Sequence, residues 1–296
     1  KNGITVVVRP STLKADEVML MAKSEGGKSM LSVNDAQQAD YLTLVMQESG
    51  IGKFSATELN KQLTGKSAYA MVGIGEYEHS VSGGGSPRDI ETILQLVYLN
   101  FTSPRFDQSD LDYLKQMYVP YFRNMESNPD YIMAKEFNRT LYQNNPRRQT
   151  ASAEHIDQLS IETLARIHSS LFTYADDFRF YIVGNVDLDT LKPLVEKYLG
   201  SLPTSNTVDY AVVDDGVRMA EGGVTNDFCA SMYQPKVSVN LTYSGSIENS
   251  AKNRVILDLL TRALDSRYMV SIREEKGGTY GVRVNGSIMK YPVEQY

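Results

Sequence analysis

A metal site needs histidine, cysteine or carboxylate side chains gathered on one face, and the chain offers three histidines, His79, His155 and His168, and one cysteine, Cys229. No two of the histidines stand three or four residues apart, so no helix can turn a pair of them toward one ion. Cys229 has no internal partner for a disulfide. No metal site complete within the chain is expected, and the histidines read as surface or hydrogen-bonded side chains. Gly83-Gly84-Gly85-Ser86 stands before a helix, where anions can bind, but it lacks the G-K-[ST] signature and reads as a flexible turn with an N-cap. Arg147 and Arg148, after Pro146, read as solvated loop charges. Arg273 and Tyr280 stand seven apart across Gly277-Gly278. On residue types alone they are a charge near a helix C-terminus and a strand aromatic.

The elements that would position these residues follow from periodicity. With 296 residues and 42% hydrophobic content the chain can fill one large core or two medium ones. A net charge of −6 offers no excess of basic side chains to neutralise phosphates, which argues against nucleic acid as a partner. No run approaches the roughly 18 apolar residues of a membrane-spanning helix. Ile4 to Val8 and Val18 to Ala22 read as strands, forming a hairpin or an adjacent pair, and not as a signal peptide. Asn34 or Asp35 caps a helix through Ala39, Leu42, Val45 and Met46 that Gly50 ends, and Ser55-Ala56-Thr57-Glu58 is a capping box ahead of a short helix. Ser67 to Ile74 and Glu76 to Ser82 read as strands. Ser86-Pro87 opens a helix with the apolar stripe Ile90, Ile93, Leu94, Val97 and Phe101. Further helices follow around Leu111 to Tyr118, Ile132 to Leu141, Leu164 to Leu171 and Leu188 to Leu199, with a strand at Phe178 to Val183.

Beyond Leu202 the composition shifts to Pro, Ser, Thr, Asp and Gly, as in a linker. The expected organisation is a complete unit over residues 1–205, a linker over 206–223 and a second, incomplete unit over 224–296. In the latter, Val237, Val239, Leu241 and Tyr243 alternate as a strand, Val255 to Leu264 form a helix and Thr279 to Ile288 a strand. That order repeats the opening pattern at an offset of roughly 200 residues. The first residue is not Met and Val293-Glu294-Gln295-Tyr296 follows a strand-like run directly, so both ends are expected to be cut points in a longer protein.

Several segments together resemble the pitrilysin/insulinase family of zinc metallopeptidases. Asn2-Gly3-Ile4-Thr5-Val6 is similar to its domain-opening strand, Ser103-Pro104-Arg105-Phe106-Asp107 to its helix junction, and the stretch from Asp177 to Asp187 to the strand, glycine and helix that end its odd-numbered domains. Arg273-Glu274-Glu275-Lys276-Gly277-Gly278-Thr279-Tyr280-Gly281 resembles the R/Y segment of its last domain. The resemblance covers nearly the whole chain and implies an α+β fold of two pitrilysin-like sandwich domains, the second truncated at its C-terminus.

Active members of that family carry H-x-x-E-H on a helix, with two histidines on zinc and the glutamate activating a water. Here Asp40 and Leu44 would take the histidine positions and Thr43 the glutamate position. The resemblance therefore implies a noncatalytic C-terminal half, inactive alone, in a parent enzyme whose zinc lies on an N-terminal half outside this chain. It also implies that Arg273 and Tyr280 contact the substrate carbonyl and developing oxyanion. The remaining implications are an unfolded or short peptide as substrate and a parent in the cell envelope. Two alternatives stay open: a separate noncatalytic subunit of a two-subunit peptidase, and a relative similar to respiratory-complex core proteins with no peptide contact.

Overall fold

The structure, a computed structural model, describes residues 2–205 and 210–296. Lys1 and the first four positions of the expected linker, 206–209, lie outside the described residues. Five strands, β1 (Thr5–Pro10), β2 (Val18–Glu25), β3 (Ala68–Ile74), β4 (Glu78–Gly85) and β5 (Arg179–Gly184), form one sheet in the order β1-β5-β2-β4-β3. The β1–β5 pair is parallel and the others are antiparallel. The expected adjacent opening pair is thus corrected, because β5 lies between β1 and β2. The loop after β1 is tied to the end of β5 instead: the Ser11 N–H donates to the Gly184 carbonyl at 2.8 Å, and Asn185 Nδ2 donates to the Ala15 carbonyl at 2.7 Å.

Alternation along the strands decides which face the helices cover. Val18, Leu20 and Ala22 of β2, Val81 of β4, and Phe180 and Ile182 of β5 are buried, while Met19, Tyr181 and Val183 between them are exposed. Side chains of the helices α1 (Val33–Ala39), α2 (Leu42–Ser49), α4 (Ile90–Thr102), α5 (Gln108–Met125) and α8 (Ile161–Phe172) join that buried face in one core. α3 (Ala56–Gln62) precedes β3, and α6 (Pro129–Leu141), α7 (Ala153–Asp157) and α9 (Leu188–Tyr198) complete the unit. Phe101, Phe172, Phe178 and Phe180 meet edge-on or tilted at the centre, with Phe101 and Phe178 centroids 5.0 Å apart.

Local hydrogen bonds set the element ends. Ser55 and Glu58 form the capping box, and Ser160, Asn128 and Asp187 cap α8, α6 and α9. The single helix expected from Asn34 to Gly50 is divided: Ser32 caps α1, and the Tyr41 N–H turns to the Gln38 carbonyl, breaking the i to i−4 ladder before α2 begins. Gly83, Gly84 and Gly85 are not a turn. They are the end of β4, where a Cβ at Gly83 would stand 3.3 Å from Ile93 of α4 and one at Gly85 would collide with the Ser67 backbone.

The second region is different. Among the described residues there is no strand beyond β5, only isolated bridges at Ser246, Met289 and Gln295. The strands expected at Val237–Tyr243 and Thr279–Ile288 are therefore corrected, since a strand needs a ladder partner and none is present for them. Val237 is 91% exposed and Leu241 76%. The expected helix forms as α10 (Ala251–Tyr268), followed by a π-helical turn over Met269–Glu274, and it buries none of its residues. The described part of the expected linker lacks regular secondary structure but lies against the first unit, with Tyr210 and Val217 buried and the Ala220 N–H donating to the Leu141 carbonyl at 2.7 Å.

Candidate functional site

The junction of α1 and α2 is where an inverted zinc motif would stand. Asp40, the residue after α1, receives the Lys28 ammonium at 2.7 Å, and the same ammonium lies 2.6 Å from Glu76. The other carboxylate oxygen of Glu76 meets Arg148 at 3.2 Å, and Arg148 donates to the Tyr77 hydroxyl at 3.4 Å. Burial of Lys28 pulls its pKa down, but the hydrogen bonds and charges of Asp40 and Glu76 outweigh that effect and leave it raised. Thr43 donates its hydroxyl proton to the Val72 carbonyl at 2.9 Å, and Leu44 packs on the core. An alkyl group, a committed hydroxyl and a carboxylate neutralised by an ammonium do not fit zinc, which takes three or four N, S or O ligands. No catalytic step follows from this locus.

Lys28 and Glu76 gave no signal in sequence, since they are far apart and meet each other and Arg148 only through the turn before α1, the β3–β4 turn and the loop after α6. The expectation of solvated arginines is corrected at the same place. Arg147 donates to the carbonyls of Lys28 and Leu31 at 3.2 and 2.6 Å, tying the loop to the first turn after β2.

The histidines lie in three places. His79 of β4 is fully buried, accepts from the Gly27 N–H at 3.4 Å, and meets Phe172, Phe178 and Tyr210 edge-on at 4.9 to 5.4 Å. His168 of α8 is buried against Phe172, with Nε2 2.8 Å from the Asn100 carbonyl. Burial pushes both imidazoles down to about 4, against the smaller opposing pull of the Leu171 and Asn100 carbonyls. His155 contacts Gln149 at 3.1 Å. Among the described residues no group of three His, Cys, Asp or Glu could hold a metal ion.

Arg273 stands in the π-helical segment that follows α10, and Tyr280 two residues past the turn that ends it. The N–H groups of Gly277 and Gly278 return to the carbonyls of Arg273 and Ile272 at 3.1 Å, and Gly277 takes φ 60°, which suits a residue without Cβ. Arg273 lies 3.6 Å from the Met269 sulfur, and Tyr280 is wholly exposed with no hydrogen-bond partner among the described residues.

Comparison with known proteins bears on these observations. Residues 158–290 match the family model described as the peptidase M16 inactive domain. Over 95% of its length the chain is 19% identical to a probable zinc protease, PqqL, of Haemophilus influenzae, covering 30% of that protein. It is 23% identical to the probable zinc protease PqqL of Escherichia coli, again over 95% of the chain and 30% of the relative. The crystal structure of the periplasmic protease PqqL from Escherichia coli superposes with a TM-score of 0.79 at 19% identity, covering 99% of this chain and 32% of that one. The chain thus spans about a third of the length of the relatives it matches. Residues 158–290 thus match the peptidase M16 inactive domain, and the mixed α/β sheet with its helices has the pitrilysin-type fold.

Proposed function

We propose that this chain is the substrate-holding, noncatalytic C-terminal part of a zinc metalloendopeptidase whose two halves close around a peptide. The observation that carries this reading is the M16 match combined with the α1–α2 junction, where Asp40, Thr43 and Leu44 are committed to Lys28, Val72 and the core. The zinc-bearing half lies outside this chain, in the same polypeptide or in a partner. In this role the Arg273 guanidinium donates to a substrate carbonyl, and the Tyr280 hydroxyl donates to the oxygen that gains charge as water attacks. Their exposure supports that role. The name of the periplasmic relative supports a parent protein in the cell envelope.

The test is steady-state peptide hydrolysis by the parent protein carrying single changes. Tyr280→Phe is expected to lower kcat by roughly 10²-fold, in the range seen when one oxyanion donor is removed, with KM little changed. Arg273→Ala is expected to lower kcat/KM. Unchanged turnover in both variants would remove this turn from the mechanism.

A further inference from the structure

The stretch that leaves the first unit crosses a buried histidine. His79 has no exposed surface and stands on the core face of β4, opposite Ser24 of β2. Its Nδ1 accepts from the Gly27 N–H in the turn after β2, so the neutral ring carries its proton on Nε2. Phe172 and Phe178 close two of its sides, and Tyr210 covers it with ring centroids 4.9 Å apart. Tyr210 and Val217 are the only buried residues among those described beyond Leu202.

Backbone bonds fasten the same stretch. The Tyr210 N–H donates to the Asp177 carboxylate at 2.8 Å, and the Val213 N–H donates to Ser29 Oγ at 3.1 Å. The Ser29 hydroxyl donates in turn to the Gly26 carbonyl at 2.7 Å. One short turn, residues 26–29, therefore supplies both the donor that fixes the His79 ring and the acceptor that holds Val213. Further on, Ala220 and Asn226 meet Leu141 and Glu136 of α6, and Lys236 meets Asp130, with no histidine involved.

A second proton on His79 must go to Nδ1, where the Gly27 N–H already points, and two donors would then face each other inside an apolar shell. The charged groups on the surrounding elements are engaged elsewhere. Lys23 pairs with Glu78, Lys28 with Glu76, and Arg218 with Asp214. Glu25 and Asp215 accept from the hydroxyls of Tyr291 and Tyr77, Asp176 and Asp177 accept backbone N–H groups, and His168 bonds to the Asn100 carbonyl. The Tyr210 phenol, pushed up to about 12 by its burial, stays neutral. None of these charges enters the titration of His79: burial lowers its pKa and the Leu171 carbonyl alone opposes that.

We propose that His79 is a pH-sensitive latch, in which protonation at Nδ1 expels the turn at residues 26–29 and releases residues 210–213 from the first unit. Release at this point leaves the contacts of Ala220, Asn226 and Lys236 in place. The latch goes beyond the peptide-holding reading: it sets how firmly the stretch leading to Arg273 and Tyr280 is tied to the first unit, whatever those two residues contact.

The test is residue-resolved amide hydrogen exchange of the 296-residue chain, corrected for the intrinsic exchange rate at each pH. The His79 ring titrates at about 4 when latched and near 6.5 once released, so protection of the Tyr210 and Val213 amides is expected to fall about 30-fold between pH 7.5 and pH 5. The Ala220 amide is expected to change less than about twofold. The fall should vanish in His79→Gln and persist in His168→Gln, which separates the latch from acid unfolding of the core. Tyr210→Ala keeps the histidine and removes its cover. In that chain the Val213 amide is expected to lose its protection already at pH 7.5, and the ring-proton NMR titration of His79 to move up toward 6.5. No fall at pH 5, a fall shared by Ala220, abolished by His168→Gln or retained by a folded His79→Gln chain, or a His79 titration unmoved by Tyr210→Ala would overturn the latch.

Discussion

Residues 2–205 and 224–296 carry similar sequence patterns, alternating apolar strands beside helices with an apolar stripe, yet only the first region turns them into a core. In the first, Val18, Leu20, Phe180 and Ile182 face helices that supply Leu42, Leu94 and Leu164 across the gap. In the second, Val255, Ile256, Leu259 and Leu260 of α10 are all more than half exposed, and no residue beyond Val217 is buried. Amphipathic periodicity names the face that seeks burial; a second surface must be present for the free energy of burial to be realised. An 18-residue helix of this kind holds its form by its own ladder, by Ser250, which caps it, and by few outside contacts, among them Asp265, which accepts from the Val284 N–H at 2.9 Å.

The largest effect that would break this comparison is a core truncation. Phe178 is 1% exposed and touches Phe101, Phe172, Phe180, His79 and Tyr210. Phe178→Ala is expected to cost about 3–5 kcal/mol in urea unfolding of the chain. Leu259→Ala, at 61% exposure, is expected to change stability by less than about 0.5 kcal/mol. A comparable loss from Leu259→Ala would mean that α10 is packed in solution and that the two regions do not differ in this way.

Acid should separate the regions next. The imidazoles of His79 and His168 are held neutral with pKa about 4 when folded, against 6.5 for the free group. The unfolded chain therefore binds more protons than the folded one between those values, so stability is full above about pH 6.5 and falls as pH drops toward 4. At pH 5 each histidine accounts for about 2 kcal/mol of lost stability, from 1.36 kcal/mol per pKa unit. The urea midpoint is expected to fall between pH 7.5 and pH 5, and His168→Gln is expected to flatten that slope by about half. A slope unaltered by His168→Gln and by His79→Phe would place the acid sensitivity elsewhere. No buried histidine lies in the second region, so the helicity of α10 should not follow this titration.

The parts legible in sequence are those set by neighbours along the chain. The capping box at Ser55 and Glu58 depends on residues three apart and forms as its spacing implies. The placement of β5 between β1 and β2 depends on pairing across more than half of the first unit, and alternation in each strand is equally compatible with other orders. The glycines of β4 read as a turn because nothing local shows how closely Ile93 and the Ser67 backbone approach them. At the α1–α2 junction the lack of histidines was visible from Asp40, Thr43 and Leu44 alone. The ammonium that neutralises Asp40 was not, because Lys28 and Glu76 meet only through the folded turns.

The smallest contrast concerns ion pairs. Lys28 is the more buried case, its side chain about 11% exposed and shared between Asp40 and Glu76, whereas Lys236 of the second region meets Asp130 at 2.6 Å with both side chains more than half exposed. Water already solvates the latter pair, so Lys236→Met is expected to change stability by less than about 0.5 kcal/mol and to lose even that in high salt. Lys28→Met leaves Glu76, which is 30% exposed, with Arg148 alone, and removes the link from the turn before α1 to the β3–β4 turn. A cost of about 1–2 kcal/mol in urea unfolding is expected, reduced from the fully buried case because Asp40 remains half in water. Equal effects of the two substitutions would show that the junction occupied by Asp40 and Lys28 is no more firmly held than the surface contact between the regions. The Lys28 ammonium would then serve only to neutralise charge there, with no part in fixing the fold.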